Sequence, residues 1–189
     1  MDTTVLIAED NPQLCELSRD SLTQSGYRVL TAAGGVECLS IIRHESPAIL
    51  VASVDLLWGG VDGLLECLRA ESRWRTLPAV LLTGCAAAAN IAALFELPCS
   101  YRYLRKPFSM NELLDSVRAI ESRFADLKQL ECLIRRNFAM RVHNFRLHAC
   151  DKGLVLEGRT KTYHGKQLVQ HAIMGDSECP IHANNIVVG

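Results

Sequence analysis

Through the first 120 residues, short apolar, β-branched runs alternate with amphipathic stretches. That alternation constrains the fold more than any other feature, because it is the pattern of repeated strand–helix units. Val5-Leu6-Ile7-Ala8 is continuously apolar, as a strand covered on both faces must be. Asn11-Pro12 then supplies an N-cap and a first-turn proline for a helix lined by Leu14, Leu17 and Leu22 and closed by Gly26. Further strands are expected over Tyr27–Thr31, Ile49–Val54, Ala79–Leu82 and Tyr101–Leu104. Helices are expected over Val36–His44, Asp62–Ser72 and Ala86–Phe95. Five such units with right-handed crossovers make an α/β fold with a doubly wound parallel sheet.

In sheets of this kind ligands bind beyond the carboxyl ends of the strands. Glu9-Asp10 follows strand one, Asp55 ends strand three, Thr83 ends strand four, and Lys106-Pro107 follows strand five. Carboxylates gathered on one rim repel one another and favour a hard divalent cation, here Mg²⁺ held by Glu9, Asp10 and Asp55. Lys106 adds a second positive charge and Thr83 a neutral donor. Such a set can hold a phosphoryl group on an aspartate.

These residues resemble the receiver domain of two-component response regulators, over about residues 3–121. The resemblance is carried by Val5–Asp10, Asp55, Val61-Asp62-Gly63-Leu64, Leu81-Leu82-Thr83-Gly84 and Lys106-Pro107-Phe108. It implies a flavodoxin-like, five-stranded fold in which Asp55 accepts phosphate from a histidine kinase or phosphotransfer protein. Glu9 and Asp10 would help to hold Mg²⁺, Thr83 would be the switch hydroxyl, Lys106 would touch the phosphoryl group, and Tyr103 would be the switch aromatic. Such a protein turns over no external substrate. Two departures stand out. Trp58-Gly59-Gly60 replaces the usual proline-containing loop, and two extra residues lie between Pro47 and Asp55. Counting back from Asp62-Gly63 lands on Asp55, whereas the rival register puts Ser53 in the acceptor position. Both residues point to the same face of a strand, so alternation leaves the choice open. Leu57 and Cys85, each two residues past a site residue, orient water poorly, so any phosphoaspartate is expected to be long-lived.

Ser109-Met110-Asn111-Glu112 is a capping box that starts another helix. Leu113, Val117, Ile120, Phe124, Leu127 and Ile134 form a stripe along it, which fits either a homodimer seam or packing within the chain. Past Arg141 the pattern returns to strands: Asn144–Cys150, Gly153–Thr160 and Asn185–Val188, with a helix over Tyr163–Met174. The expected organisation is a receiver at 1–121, a helical connector at 122–143 and a small α+β domain at 144–189. That last domain resembles a BON domain in Gly153, Val155, Leu156 and Gly158, then Lys166-Gln167-Leu168, then Asn185-Ile186-Val187-Val188. The resemblance implies an output module that binds a protein or ligand, and it assigns no contact residue.

Residues 1–121 carry 10 basic and 15 acidic side chains (net −5), and residues 122–189 carry 10 and 6 (net +4), giving the chain's −1. The basic tail, with Arg135, Arg136 and Arg141 near Phe138, raises a transcription regulator that touches DNA, but no helix-turn-helix accompanies it. Eight well-separated cysteines, none in a Cys-x-x-Cys pair, read as reduced thiols of a cytoplasmic protein. His148, Cys150, Cys179 and His182 lack zinc-finger spacing and read as surface histidines and buried thiols. No apolar run is long enough to cross a membrane, and Met1-Asp2-Thr3-Thr4 opens without a secretory signal's basic segment. The leading expectation is a phosphoaspartate switch driving a BON-like output. A degenerate pseudo-receiver that serves as an interaction scaffold is the alternative.

Overall fold

Val5, Leu6, Ile7 and Ala8 have no solvent-exposed surface, so strand β1 (Thr4–Ala8) is covered on both sides. A computed structural model of the chain describes residues 3–56, 60–71, 73–74, 77–84, 101–150, 153–177 and 179–189. After β1 come α1 (Pro12–Gln24), β2 (Arg28–Ala32), α2 (Gly35–Glu45), β3 (Ile49–Ser53), α3 (Gly60–Ala70), β4 (Ala79–Thr83) and β5 (Tyr101–Arg105). Then follow α4 (Met110–Asn137), β6 (Val142–Cys150), β7 (Gly153–Thr160), α5 (Tyr163–Asp176) and β8 (Ile181–Val188). The helix expected at Ala86–Phe95 lies outside the described residues, as do Leu57, Trp58, Gly59 and Cys85.

The first five strands form one parallel sheet in the order β2-β1-β3-β4-β5. Because the chain crosses from β1 to one side and then the other, helices cover both faces. Strand alternation sorts the core into two layers. Leu6, Ala8, Leu50, Ala52 and Leu81 pack with Cys38 and Ile42 of α2 and Leu64, Leu65 and Leu68 of α3. Val5, Ile7, Val51, Val80 and Leu82 pack with Leu22 of α1 and Leu113, Val117 and Ile120 of α4. Each buried Val, Leu or Ile among them contributes about 1.5–3 kcal/mol by leaving water.

The helix starts are where the sequence places them. Asn11 Oδ1 accepts the N–H groups of Gln13 and Leu14 at 3.0 and 3.2 Å. In the capping box, the Ser109 hydroxyl accepts the Glu112 N–H, and the Glu112 carboxylate accepts the Ser109 N–H. Those bonds from Ser109 hold the Glu112 carboxyl below its ordinary range. Farther along α4, Glu121 accepts the Thr3 hydroxyl on one oxygen and the Tyr27 phenol, at 2.9 Å, on the other.

The chain divides into two units, at Glu121 and Ser122 among the described residues. The second unit has its own three-stranded sheet, β6-β7-β8, with β6 antiparallel and β8 parallel to β7. Its core gathers Ile134 of α4, Phe145, Leu147, Leu154, Leu156 and Ile186 of the strands, and Val169 and Ile173 of α5. Gly153 starts β7 at φ +134°, and a Cβ there would sit 2.2 Å from the Pro180 carbonyl oxygen, so only glycine fits. The α4 stripe is largely spent inside the chain: Leu113, Val117 and Ile120 belong to the first unit's core and Ile134 to the second's. Those four positions fit packing within the chain, one of the two readings of the stripe.

Three expectations need correction. β8 begins at Ile181 rather than Asn185, its first half having only Ile181 and Ala183 as apolar residues. His148 is not a surface residue: it is buried, with Nε2 3.3 Å from Glu157. Cys179, conversely, is exposed. Among the described residues no helix is long and apolar enough to cross a membrane.

Two outcomes follow. Burial first, and then the nearby Glu37 carboxylate, push the Cys38 thiol up to about 12, whereas Cys67 is exposed. A maleimide should label Cys67 in the folded chain and Cys38 only after unfolding, as read by peptide mass mapping. Burial first, and then its hydrogen bond to Glu121, push the Tyr27 phenol up to about 12 from 10.0. The stability held by this protonated phenol is intact below pH 10 and drains away as pH rises toward 12. Denaturant midpoints of the native chain should therefore fall more steeply across that window than those of Tyr27→Phe.

Candidate functional site

The parallel register brings the carboxyl ends of β1, β3, β4 and β5 to one rim. Ala8 pairs with Ala52, Ser53 with Leu82, and Thr83 with Arg105. Ladder bonds carry the alignment one residue past the strands, from the Val54 N–H to the Leu82 carbonyl and from the Lys106 N–H to the Thr83 carbonyl. Glu9, Ser53, Thr83 and Lys106 therefore converge for reasons of backbone pairing alone.

Lys106 is the hub. Its Nζ lies 2.7 Å from Glu9 Oε2 and donates to Ser53 Oγ at 3.0 Å. The Glu9 side chain is almost wholly buried, while that of Lys106 keeps about a quarter of its surface exposed. Glu9 also accepts the Asn11 N–H at 3.1 Å, so both of its oxygens are bonded. A buried carboxylate needs such compensation, and a lysine that leans in from the rim supplies it. Ser53 and Thr83 are buried as well, and the Thr83 hydroxyl donates to the Gly84 carbonyl at 3.0 Å.

Neither Asp55 nor Asp10 is hydrogen-bonded to this hub. Asp55 is exposed on the turn after β3. Its Oδ2 lies over Gly84, 3.7 Å from where a Cβ would be. Asp10 is half-buried and lines a cleft bordered by Glu16, Arg19 and Glu37. Tyr103 is partly buried against the core layer of α2 and α3. The residue beside Lys106 is therefore Ser53, not Asp55. Spacing from Asp62-Gly63 hides this, because the two extra residues fall after the strand rather than within it.

The expected cation site is not assembled. Among the described residues no three His, Cys, Asp or Glu side chains lie close enough together to hold a metal ion. Glu9 is committed to Lys106, and the side chain in the strand-three position is a neutral hydroxyl, a weak ligand for Mg²⁺ compared with a carboxylate. In this arrangement Glu9, Asp10 and Asp55 do not fit the ion. The candidate zinc residues fare no better: His182 and Cys179 are exposed, and the side chain of Cys150 lies outside what is described.

Comparison with known proteins places this geometry. Residues 5–118 match the family model described as the response regulator receiver domain. The response regulator MprA of Mycobacterium bovis (strain BCG / Pasteur 1173P2) is 33% identical over 120 residues, which cover 64% of this chain and 51% of that protein. The chain thus spans about half the length of the curated relatives it matches. Among solved structures, the non-phosphorylated HemR receiver domain of Leptospira biflexa aligns at 27% identity and a TM-score of 0.56, covering 63% of this chain and 94% of that one. The receiver domain of the Francisella response regulator 1452 aligns at 23% and 0.58, covering 65% and 99%, a likeness of fold alone.

The hub makes a stability prediction. Removing Lys106 as Lys106→Met strands a buried carboxylate and should cost on the order of 3 kcal/mol. The double variant Glu9→Gln/Lys106→Met should recover part of that loss. Denaturant unfolding of the four proteins in the cycle measures the coupling, and additive losses would mean that the pair contributes nothing.

Proposed function

Because the chain belongs to the response regulator receiver family, we propose that it is the receiving arm of a two-component pathway whose signalling surface surrounds a latched Lys106. Receiver domains of response regulators interact with histidine kinases or phosphotransfer proteins, and one of these is the partner we assign. They also generally bind Mg²⁺ for phosphorylation. The observation that carries our reading is the bond from Lys106 to Ser53 and Glu9. A receiver lysine is useful to a phosphoryl group when its charge is free to meet one. Here a buried carboxylate neutralises it, and the neighbouring side chain is a hydroxyl that cannot form an acyl phosphate. This favours a pseudo-receiver that signals by docking and turns over no external substrate.

A second reading keeps the phosphoaspartate switch. It is supported by Asp55, which is exposed to a phosphodonor and lies over Gly84, the residue after Thr83. Phosphorylation there would require Lys106 to leave Ser53, and Thr83 and Tyr103 would be its switch residues. In both readings the β6–β7–α5–β8 unit is the output module, and we carry its BON-like character as part of this proposal.

Intact mass after incubation with Mg²⁺ and acetyl phosphate separates the two. The docking reading expects no added phosphate on the native chain and one on Ser53→Asp, where a carboxylate meets Lys106. One phosphate on the native chain that disappears in Asp55→Asn, and that hydrolyses slowly, would replace it with the switch.

A further inference from the structure

The sheet of the second unit has two edges, and side chains close both of them. On β6, the Phe145 carbonyl accepts from Arg135 Nε at 2.8 Å, and the Leu147 N–H donates to Glu131 Oε2 at 3.0 Å. The two α4 side chains are paired with each other, Arg135 Nη2 to Glu131 Oε1 at 2.7 Å. On β8, Lys166 Nζ donates to the Ile186 carbonyl at 3.0 Å, and Asn184 Oδ1 accepts the Ile186 N–H at 3.3 Å. Asn184 is held in turn by Gln170 of α5 at 2.9 Å.

The β6 contacts have the form of a missing strand. In a ladder, an added strand bonds the carbonyl and the amide of the two residues that flank a given position. Arg135 supplies the donor and Glu131 the acceptor for the residues on either side of Arg146. A second copy of the chain could supply the same bonds. With Arg146 of each copy on a two-fold axis, each Phe145 carbonyl would face the other's Leu147 N–H, a self-complementary antiparallel pairing. Arg146 would then meet its own like charge, a further guard of the kind that edge strands carry. We propose that Glu131 and Arg135 are a strand mask, which holds the β6 edge closed against β6 of a second copy. Arg135 is exposed on α4 and still tied to the fold through the Phe145 carbonyl.

The test uses the full chain. Sedimentation equilibrium should give Glu131→Ala/Arg135→Ala/Arg146→Thr a mass that climbs toward twice that of the native chain, measured at the same concentrations. An unchanged mass in a variant with native circular dichroism overturns the proposal. Amide exchange gives a second reading, which decides the matter if the triple variant does not fold. In Glu131→Ala the Leu147 amide should exchange at least tenfold faster than in the native chain, and an unaltered rate would mean that no mask exists.

Discussion

A carboxylate buried at the end of a central strand must be compensated, and much of the first unit is arranged around that demand. Glu9 follows β1 directly, and the parallel register across β1, β3, β4 and β5 brings Lys106 within 2.7 Å of it. Desolvation makes this pair costly to form and costlier still to break on one side. The rim chemistry is therefore set by the fold: any ligand of Lys106 meets an ammonium already bonded to Glu9 and Ser53.

The sheet was legible in the sequence because strands covered on both faces read as uninterrupted apolar runs, which admit few other structures. Cap signals were equally direct, since Asn11 and the Ser109–Glu112 box act through neighbours in the chain. The rim was legible only in part. Glu9 and Lys106 follow their strands immediately and Thr83 ends its own, so strand ends locate them. The residue at the end of β3 depends instead on where two additional residues are absorbed, and Ser53 and Asp55 share a face, so periodicity cannot choose between them. Pairing across the sheet decides it, and pairing is a long-range property.

The second unit shows a different limit. Its buried faces were visible as alternation in β6 and β7, but in the first half of β8 the alternation of Ile181, His182, Ala183 and Asn184 is only four residues long and half of its apolar side is an alanine. His148 was misjudged, and the backbone partner of exposed Arg135 went unseen, for one reason. A polar residue's environment comes from partners on other elements, here Glu157 across the sheet and a backbone carbonyl of β6.

Glu121 has a consequence for anyone dividing this molecule. It is the last residue of the first unit, yet it receives a hydroxyl from ahead of β1 and a phenol from ahead of β2. A fragment cut a single residue too early would keep every strand and every apolar layer. It would lose the bolt that fastens the outgoing helix to the opposite rim from Lys106, and would pass for a floppy domain when only its clasp is missing.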